Sequence, residues 1–452
     1  MIVMKFGGSS VADATCMRQV AGLVRARLDQ SPLVVLSAMG KTTNALFAMA
    51  RAAEEGDLPG AMEILATVRG HHRAAAEALF EGRVPDDLDL AFIDHFGELE
   101  LRLRGVALLR ELSPRSLDAI AAFGERLSTL VFAAWFGAAR VDARHVLLTD
   151  ANFGEAQPQP EGIRARAVAV IQPLLGPGRA VITQGYIGTT ADGLTTTLGR
   201  GGSDYSAALF GAALGASEVQ IWTDVEGVLT CDPRVVPEAQ PIAELSFAEA
   251  AELAAFGAKV LHPATIQPAV EADIPVTVRH TQRPEGAFTT ITGRVATGRS
   301  VTALATRGGL TVLTVSSTRM LHQPGFLAKL FEVFARHRVS VDLIATAEVS
   351  VSLTVEADVP LDPLLSDLRA FATVAVVRDR ALVAVVGERL KATPGLAGKL
   401  FGALGDLNVE MISMGANEIN LSLVVAATDA PRALAQLHRV LMAEPMLAGS
   451  LG

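Results

Sequence analysis

Apolar residues fill positions 2–6 and 32–38 almost without a break, and each run gives way to a glycine-bearing loop and then to apolar residues at helical spacing. The same order returns in "RAVITQGYIG" from Arg179 and in "EVQIWTDV" from Glu218. Short runs that are apolar on both faces suit strands covered from both sides, so the pattern predicts βα alternation around a mainly parallel sheet. Between these runs, residues 45–139 keep apolar positions three and four apart, which predicts a helical excursion from the sheet. At 191–194, "ADGL" sets an Asp-Gly pair between two extended stretches and predicts a hairpin that returns through "TTTLG". The return strand feeds a helix expected to start near Ser203, an N-cap residue type, and to run through Ala207, Ala208, Leu209 and Ala212.

Beyond the polar, Gly-bearing "GRVATGRS" at 293–300 the pattern shifts to short strands and amphipathic helices, so a domain boundary is expected there. The second part repeats itself: "PGFLAKLFEVFARHRVSVDLIATAEVSVSLTV" from Pro324 aligns with "PGLAGKLFGALGDLNVEMISMGANEINLSLVV" from Pro394. Each copy reads strand, Pro-Gly turn, helix, strand, strand, helix, and "ATVAVV" from Ala372 completes a βαββαβ unit in the first. The second copy lacks its last strand, which "VTALATR" at 301–307 can supply, so the first unit is expected to be inserted in the second. The expected domains are 1–295, then 308–379, then 300–307 together with 380–452.

Composition narrows the partners more than the fold. A chain of 452 residues exceeds one hydrophobic core, and 5% aromatic residues argue for Ala, Val and Leu packing in an α/β protein. A net charge of -9 without a basic tail disfavours nucleic acid and anionic membrane, and points to a small-molecule partner. Cys16 and Cys231 have no metal-ligand spacing and are too few for a disulfide framework, so they read as buried thiols of a reducing compartment. With no signal-peptide pattern at the N-terminus and no apolar run of about 18 residues, a soluble, cytoplasmic protein is expected.

The candidate chemistry lies in the glycines. Backbone N–H groups approach phosphate oxygens closely where no Cβ intervenes, and a helix N-terminus adds partial positive charge. "KFGGSS" at 5–10 and "LGRGGSD" at 198–204 both lead from a strand into a helix, each with a cation, Lys5 or Arg200, beside its glycines. Two such loops in one α/β domain point to anion binding over mere tight turns. "SAMGKTT" at 37–43 is not a P-loop, because Val35 stands where that pattern requires glycine. "WTDVEGVLTCDPR" at 222–234 ends a strand in a loop bearing Asp224, Gly227, Asp232 and Arg234, which borders a nucleotide or is a solvated turn.

"KFGGSSV", "LGRGGSDYSAAL", "WTDVEGVLTCDPR" and "FGAKVLHP", in this order and followed by paired βαββαβ units, resemble the aspartokinases of the amino-acid kinase family, with tandem ACT domains. The resemblance spans essentially the whole chain. It implies a monofunctional, lysine-sensitive enzyme, since nothing like a fused homoserine dehydrogenase follows residue 452. The implied reaction moves the γ-phosphoryl of ATP, with Mg²⁺, onto the side-chain carboxylate of L-aspartate, the first step toward lysine, threonine and methionine. A carboxylate nucleophile is already ionised at neutral pH and needs no general base, so catalysis is positioning and charge neutralisation. By resemblance Lys5 meets the transferring group, Gly7, Gly8 and Ser9 form the cradle, and Asp204 holds Lys5. Arg200 takes the substrate α-carboxylate and Glu125, in "FGERLS", its amine, with Thr43 and Ser203 adding hydroxyls. The nucleotide side falls to Thr223, Asp224, Leu229, Arg234, Lys259 and Val260, with Leu229 standing where relatives often place tyrosine. Glu125 also reads as a solvated-face acid, Asp204 as a helix cap and His262 as a turn residue.

In the second part, the helices that start after Gly325 and Gly395 offer N–H groups to a carboxylate, with Asp342 and Glu410 on facing strands. The resemblance implies an L-lysine site in the first copy built from Met320, Gln323, Phe326, Leu327, Ser340, Val341, Asp342, Ala347 and Glu348. Gln323 and Ala347 depart from the usual serines. The alternative for both copies is sheet-edge pairing alone, and the implied assembly is a homodimer through the ACT domains, with a tetramer beyond it. Two rival functions stand beside this one: an amino-acid sensor that kept the fold without activity, and a kinase of the same fold acting on glutamate or N-acetylglutamate.

Overall fold

The structure, a computed structural model, describes residues 1–256, 263–293, 295, 300–321, 324–415 and 417–442. It divides into two compact units, Met1–Val228 with Ala243–Phe247 and Val260–Val295, and Leu229–Ile242 with Ala248–Lys259 and Ala296–Gly452. The stretches 229–242 and 248–259, which the linear pattern placed in the first domain, thus group with the second unit. Most of the expected boundary at 293–300 lies outside the described residues.

The first unit is built on an eight-stranded sheet. Its strands are β1 (Ile2–Phe6), β2 (Leu33–Leu36), β3 (Ala139–Val141), β4 (Val181–Gln184), β7 (Glu218–Thr223), β8 (Glu244–Ser246), β9 (Val276–His280) and β10 (Thr289–Thr292). They run in the order β3-β4-β2-β1-β7-β9-β10-β8, parallel except between β9 and β10. The central strands are buried along their whole length, which is why β1 and β2 read as nearly unbroken apolar runs. β5 (Ile187–Thr189) and β6 (Thr195–Thr197) form the expected hairpin, Ile187 opposite Thr197 and Thr189 opposite Thr195.

Five helices account for the excursion after α1 (Ala14–Arg25): α2 (Thr42–Glu54), α3 (Leu58–Leu79), α4 (Asp86–Leu109), α5 (Pro114–Ala121) and α6 (Phe123–Phe136). Their inner faces, with Leu46, Leu65, Phe92, Phe96, Phe123 and Phe132, join Met4, Phe6 and Trp222 of the sheet in one core. Residues 114–136 are apolar and long enough to cross a membrane by composition, yet they lie mostly buried in this core as α5 and α6. The unit continues with α7 (Pro160–Val170) and α8 (Gly202–Leu214), and, after α9 (Phe247–Ala255), ends on α10 (Pro263–Glu271) and the β9–β10 pair. α8 begins one residue before the expected Ser203, and its N-cap is Gly201 at φ +73, a left-handed conformation that a serine would adopt only with strain.

The second unit carries a six-stranded antiparallel sheet ordered β12-β13-β11-β14-β16-β15, from β11 (Ala303–Ser316), β12 (Ile344–Thr346), β13 (Ser350–Glu356), β14 (Thr373–Val386), β15 (Met411–Met414) and β16 (Asn420–Ala426). The two long strands serve both repeats. The first half of β11, Ala303 to Arg307, pairs with Val386 to Leu382 and closes the second copy, whereas its second half pairs with β13 and the start of β14 in the first. The first repeat is therefore inserted within the second. Helices α11 (Phe326–Arg336) and α12 (Asp362–Arg369) cover the first copy, and α13 (Leu396–Leu404) and α14 (Ala430–Met442) the second, each pair with its own apolar core. Cys231 is buried in the second of these cores, whereas Cys16 is only half-buried.

Candidate active site

At the C-terminal ends of β1 and β2 and the N-terminus of α8, the first unit opens a cavity of ≈ 290 Å³. Lys5, Gly7, Gly8, Thr43, Glu125, Ser203 and Asp204 line it, together with Ser37, Ala38, Gly40, Tyr186, Gly199, Gly201 and Gly202. The "KFGGSS" and "LGRGGSD" loops thus share one site.

Its charges are fixed by rigid elements. Lys5, the fourth residue of β1, places Nζ 2.7 Å from Asp204 Oδ1 in the first turn of α8, and both side chains are largely buried. The contact is an ion pair without the alignment of a directed hydrogen bond, so Asp204 Oδ1 keeps acceptor capacity. Gly8 has to be glycine because the β1 and β2 loops lie back to back: a Cβ there would sit 2.9 Å from Ala38 O and 3.0 Å from Gly40 O.

Glu125 is not a solvated-face acid. It is 3% exposed at the start of α6, where its Oε1 accepts the Ala38 N–H at 3.1 Å and its Oε2 is buried without a partner. Gly124 permits this approach, since a Cβ would lie 2.7 Å from Ala38 Cβ. Burial pushes the Glu125 carboxyl up to about 8, against the lowering effect of the Ala38 N–H and of Lys5. A lone buried oxygen in a cavity that also holds a cation asks for an ammonium donor.

Two contributors escaped the sequence pattern. Tyr186 adopts φ +67 between β4 and β5, donates its N–H to Ser206 Oγ at 2.9 Å and accepts from Leu198 N at 2.9 Å, which lays its ring along Gly202. Burial pushes its phenol up to about 12. An aromatic residue directly after glycine in the midst of "ITQGYIG" was the available signal. Asp118 of α5 accepts from Gly154 N, Thr197 N and Thr197 Oγ1 at 2.9, 2.9 and 2.7 Å, and so pins β6 just before the "LGRGG" loop. Burial raises its carboxyl in spite of these donors. A single acid among the apolar positions of "SLDAIAAF" marked it.

The remaining assignments disperse. Arg200 is exposed and not among the residues that line the cavity. Ser9, Thr223 and Asp224 line a smaller cavity of ≈ 90 Å³ with Ser10, His280 and Thr281. Leu229 and Arg234 belong to the second unit, where the exposed Arg234 guanidinium is held by Asp232 at 2.6 Å. Lys259, Val260, His262 and Gln323 lie outside the described residues.

In the first repeat, Met320, Phe326 and Val341 pack on its core, and Leu327, Ser340, Ala347 and Glu348 are exposed. Asp342 is not free to face the helix after Gly325: it is ion-paired with Arg307 of β11, which also reaches Glu356 at 3.5 Å. Glu410, at the matching place in the second repeat, pairs with Arg380 of β14 at 2.7 Å.

Residues 1–280 match the amino acid kinase family, and 313–359 with 383–441 match the ACT domain. The chain is 42% identical to the lysine-sensitive aspartokinase 3 of Escherichia coli, over 97% of this chain and 98% of that one. It is 38% identical to the chloroplastic aspartokinase 1 of Arabidopsis thaliana, over 97% and 79%. Two crystal structures of E. coli aspartokinase III superpose with a TM-score of 0.82, one in complex with aspartate and ADP and one with lysine and aspartate. Each covers 98% of this chain, with 100% and 99% of its own length matched at 41% and 42% identity.

Proposed function

The chain belongs to the amino acid kinase family and within it to the aspartokinases, and on that premise we propose that the Lys5–Glu125–Asp204 cavity is where the side-chain carboxylate of L-aspartate accepts the γ-phosphoryl group of ATP. The observation that carries the assignment is the pairing, in one cavity, of a pinned cation with an unpartnered buried carboxylate oxygen.

Glu125 Oε2 takes the substrate ammonium and Thr43 and Ser203 supply hydroxyl contacts; Arg200, exposed between the cavity-lining Gly199 and Gly201, has to turn inward to take the α-carboxylate. That grip leaves the second carboxylate directed at Lys5. The glycine N–H groups of both loops and the α8 N-terminus stabilise phosphoryl oxygens without a reorganisation cost, and Lys5 neutralises charge that builds up between two anions. Within the first unit, Gly7, Gly8, Ser9, Thr223 and Asp224 form the nucleotide side. Among the described residues no three acidic, His or Cys side chains converge on a metal position, so Mg²⁺ would come with the nucleotide phosphates, Asp204 being the acid best placed to meet it. A cytoplasmic location fits these substrates.

The test is formation of aspartyl hydroxamate when the protein, Mg²⁺-ATP and L-aspartate are mixed with hydroxylamine. Product is expected with aspartate and not with glutamate or N-acetylglutamate, and no product above the blank would leave the sensor reading standing.

The first repeat is the L-lysine site, and the second repeat with the first supports a homodimer. Lysine brings two ammonium groups, and Asp342 and Glu348 offer two acids, where the threonine hydroxyl would leave one of them unmatched. Because Asp342 is already held by Arg307, lysine must displace that guanidinium, which sets a threshold on binding. Asp342→Ala should raise the half-inhibitory lysine concentration about tenfold or more, the scale of one charge-assisted hydrogen bond. The uninhibited kcat should stay within about twofold. An unshifted dose-response curve, or inhibition by threonine alone, would place the effector elsewhere.

A further inference from the structure

Three strands of the first unit end side by side, and one buried hydroxyl joins the chain beyond all three. β7 lies between β1 and β9, with Trp222 opposite Phe6 and Thr223 opposite His280. These strands lead into the "KFGGSS" loop, the Thr223–Asp224 loop and Thr281. Ser9, Thr223, Asp224 and Thr281 line the same cavity of ≈ 90 Å³. The ladder holds the strands in register, but beyond their ends the loops need another tie.

Thr281 supplies it. Its N–H donates to Thr223 O at 2.8 Å, and its hydroxyl donates to the same carbonyl at 3.1 Å. Its Oγ1 also lies 2.7 Å from Ser10 Oγ, in the 3-10 turn Gly8–Val11. A hydroxyl has one proton to give. Since that of Thr281 goes to Thr223, Ser10 is the donor in the pair, and the bonds run in one direction from Ser10 through Thr281 to Thr223. Gln19 of α1 steadies Thr281 from behind by donating Nε2–H to its carbonyl at 2.9 Å. Ser10 and Thr281 are 6% and 4% exposed, so water does not readily replace a lost bond. Ser10 N–H in turn donates to Gly7 O at 3.0 Å, which passes the position of Ser10 to the cradle.

We infer that Thr281 is a positioning residue for the nucleotide: through Ser10 and Thr223 its hydroxyl sets the separation of the Gly7–Ser9 cradle and the Thr223–Asp224 loop, which must close on one ATP. The inference rests on the nucleotide reading of those two loops. Thr281 does not line the cavity of Lys5 and Glu125, so its effect falls on ATP and not on aspartate.

Three variants of the full-length protein test this, by calorimetric titration with Mg²⁺-ADP and by steady-state rates with ATP and aspartate. Thr281→Val removes the hydroxyl, Thr281→Ser keeps it, and Ser10→Ala removes the donor at the other end. Thr281→Val and Ser10→Ala should each weaken ADP binding and raise the KM for ATP about tenfold, the scale of a buried hydrogen bond whose partner is left unpaired, with the KM for aspartate within about twofold. Thr281→Ser should behave as the wild type. The double variant should bind ADP as weakly as either single one and not about 100-fold more weakly, because both changes break the same link. ADP binding by Thr281→Val at the wild-type level would overturn the inference, as would a serine variant no better than valine. So would a rise of both KM values together, which a general loosening of the unit would give. The ADP titrations decide the point even if no aspartyl hydroxamate forms and the acceptor assignment fails, whereas a wild type that bound no Mg²⁺-ADP would remove the nucleotide reading and this inference with it.

Discussion

Replacing Lys5 with methionine should lower kcat about 10²-fold or more, while the KM for ATP changes only a few-fold. Lys5 Nζ is anchored 2.7 Å from Asp204 on a central, fully buried strand, so water cannot readily bring an equivalent cation to the same point. Its contribution is greatest where two anions are forced together during transfer, and an interaction realised mainly in the transition state appears in kcat and not in ground-state binding. The magnitude follows from removal of one preorganised donor at a developing charge. Methionine keeps the length of the chain, but Asp204 loses its partner in a largely buried setting and the thermal midpoint should fall. Steady-state rates at saturating aspartate and ATP, taken well below that midpoint, isolate the catalytic part. Turnover like that of the wild type would remove Lys5 from the phosphoryl position.

Local chemistry made much of this legible in the chain. Runs covered on both faces announced β1, β2 and β7, the Asp-Gly pair announced the β5–β6 hairpin, and the repeat from Pro324 and Pro394 announced two interleaved units before any pairing was known. What stayed hidden depends on contacts across the chain. Glu125 could not be told from a surface acid because its burial comes from Ala38, 87 residues away, and the part of Asp118 comes from Thr197, 79 residues away. Arg307 lies 35 positions before Asp342 in sequence, and Asp342 comes within reach of it because its N–H donates to Thr354 O of β13, which pairs with β11. The start of α8 was legible to within one residue but its cap was not: Ser203 has the right side chain for a cap, yet a left-handed Gly201 turns the chain first.

Changing Glu125 to glutamine should lower kcat/KM for aspartate about 10²-fold or more and at the same time stabilise the empty protein. The first effect follows because a buried carboxylate paired with an ammonium is worth several kcal/mol when one partner is truncated. Glutamine keeps the acceptor for the Ala38 N–H and puts a donor where Oε2 met no partner, so the loss falls on the substrate contact and not on the fold. The second effect has a sign set by the raised pKa. With an ordinary value of 4.5 and a folded value of about 8, the folded protein holds the proton that the unfolded chain has released, so stability falls as pH climbs between those two values. Glutamine carries no such penalty, and its thermal midpoint should exceed that of the wild type increasingly toward pH 8. The same proton must leave when the substrate ammonium binds. Wild-type kcat/KM for aspartate should therefore rise by up to about tenfold per pH unit below about pH 8 and level off above it. In the glutamine variant that rise should vanish. A variant that retained it would show that another group titrates in the acceptor site, and Glu125 would then return to a purely structural place beneath the Ala38 loop.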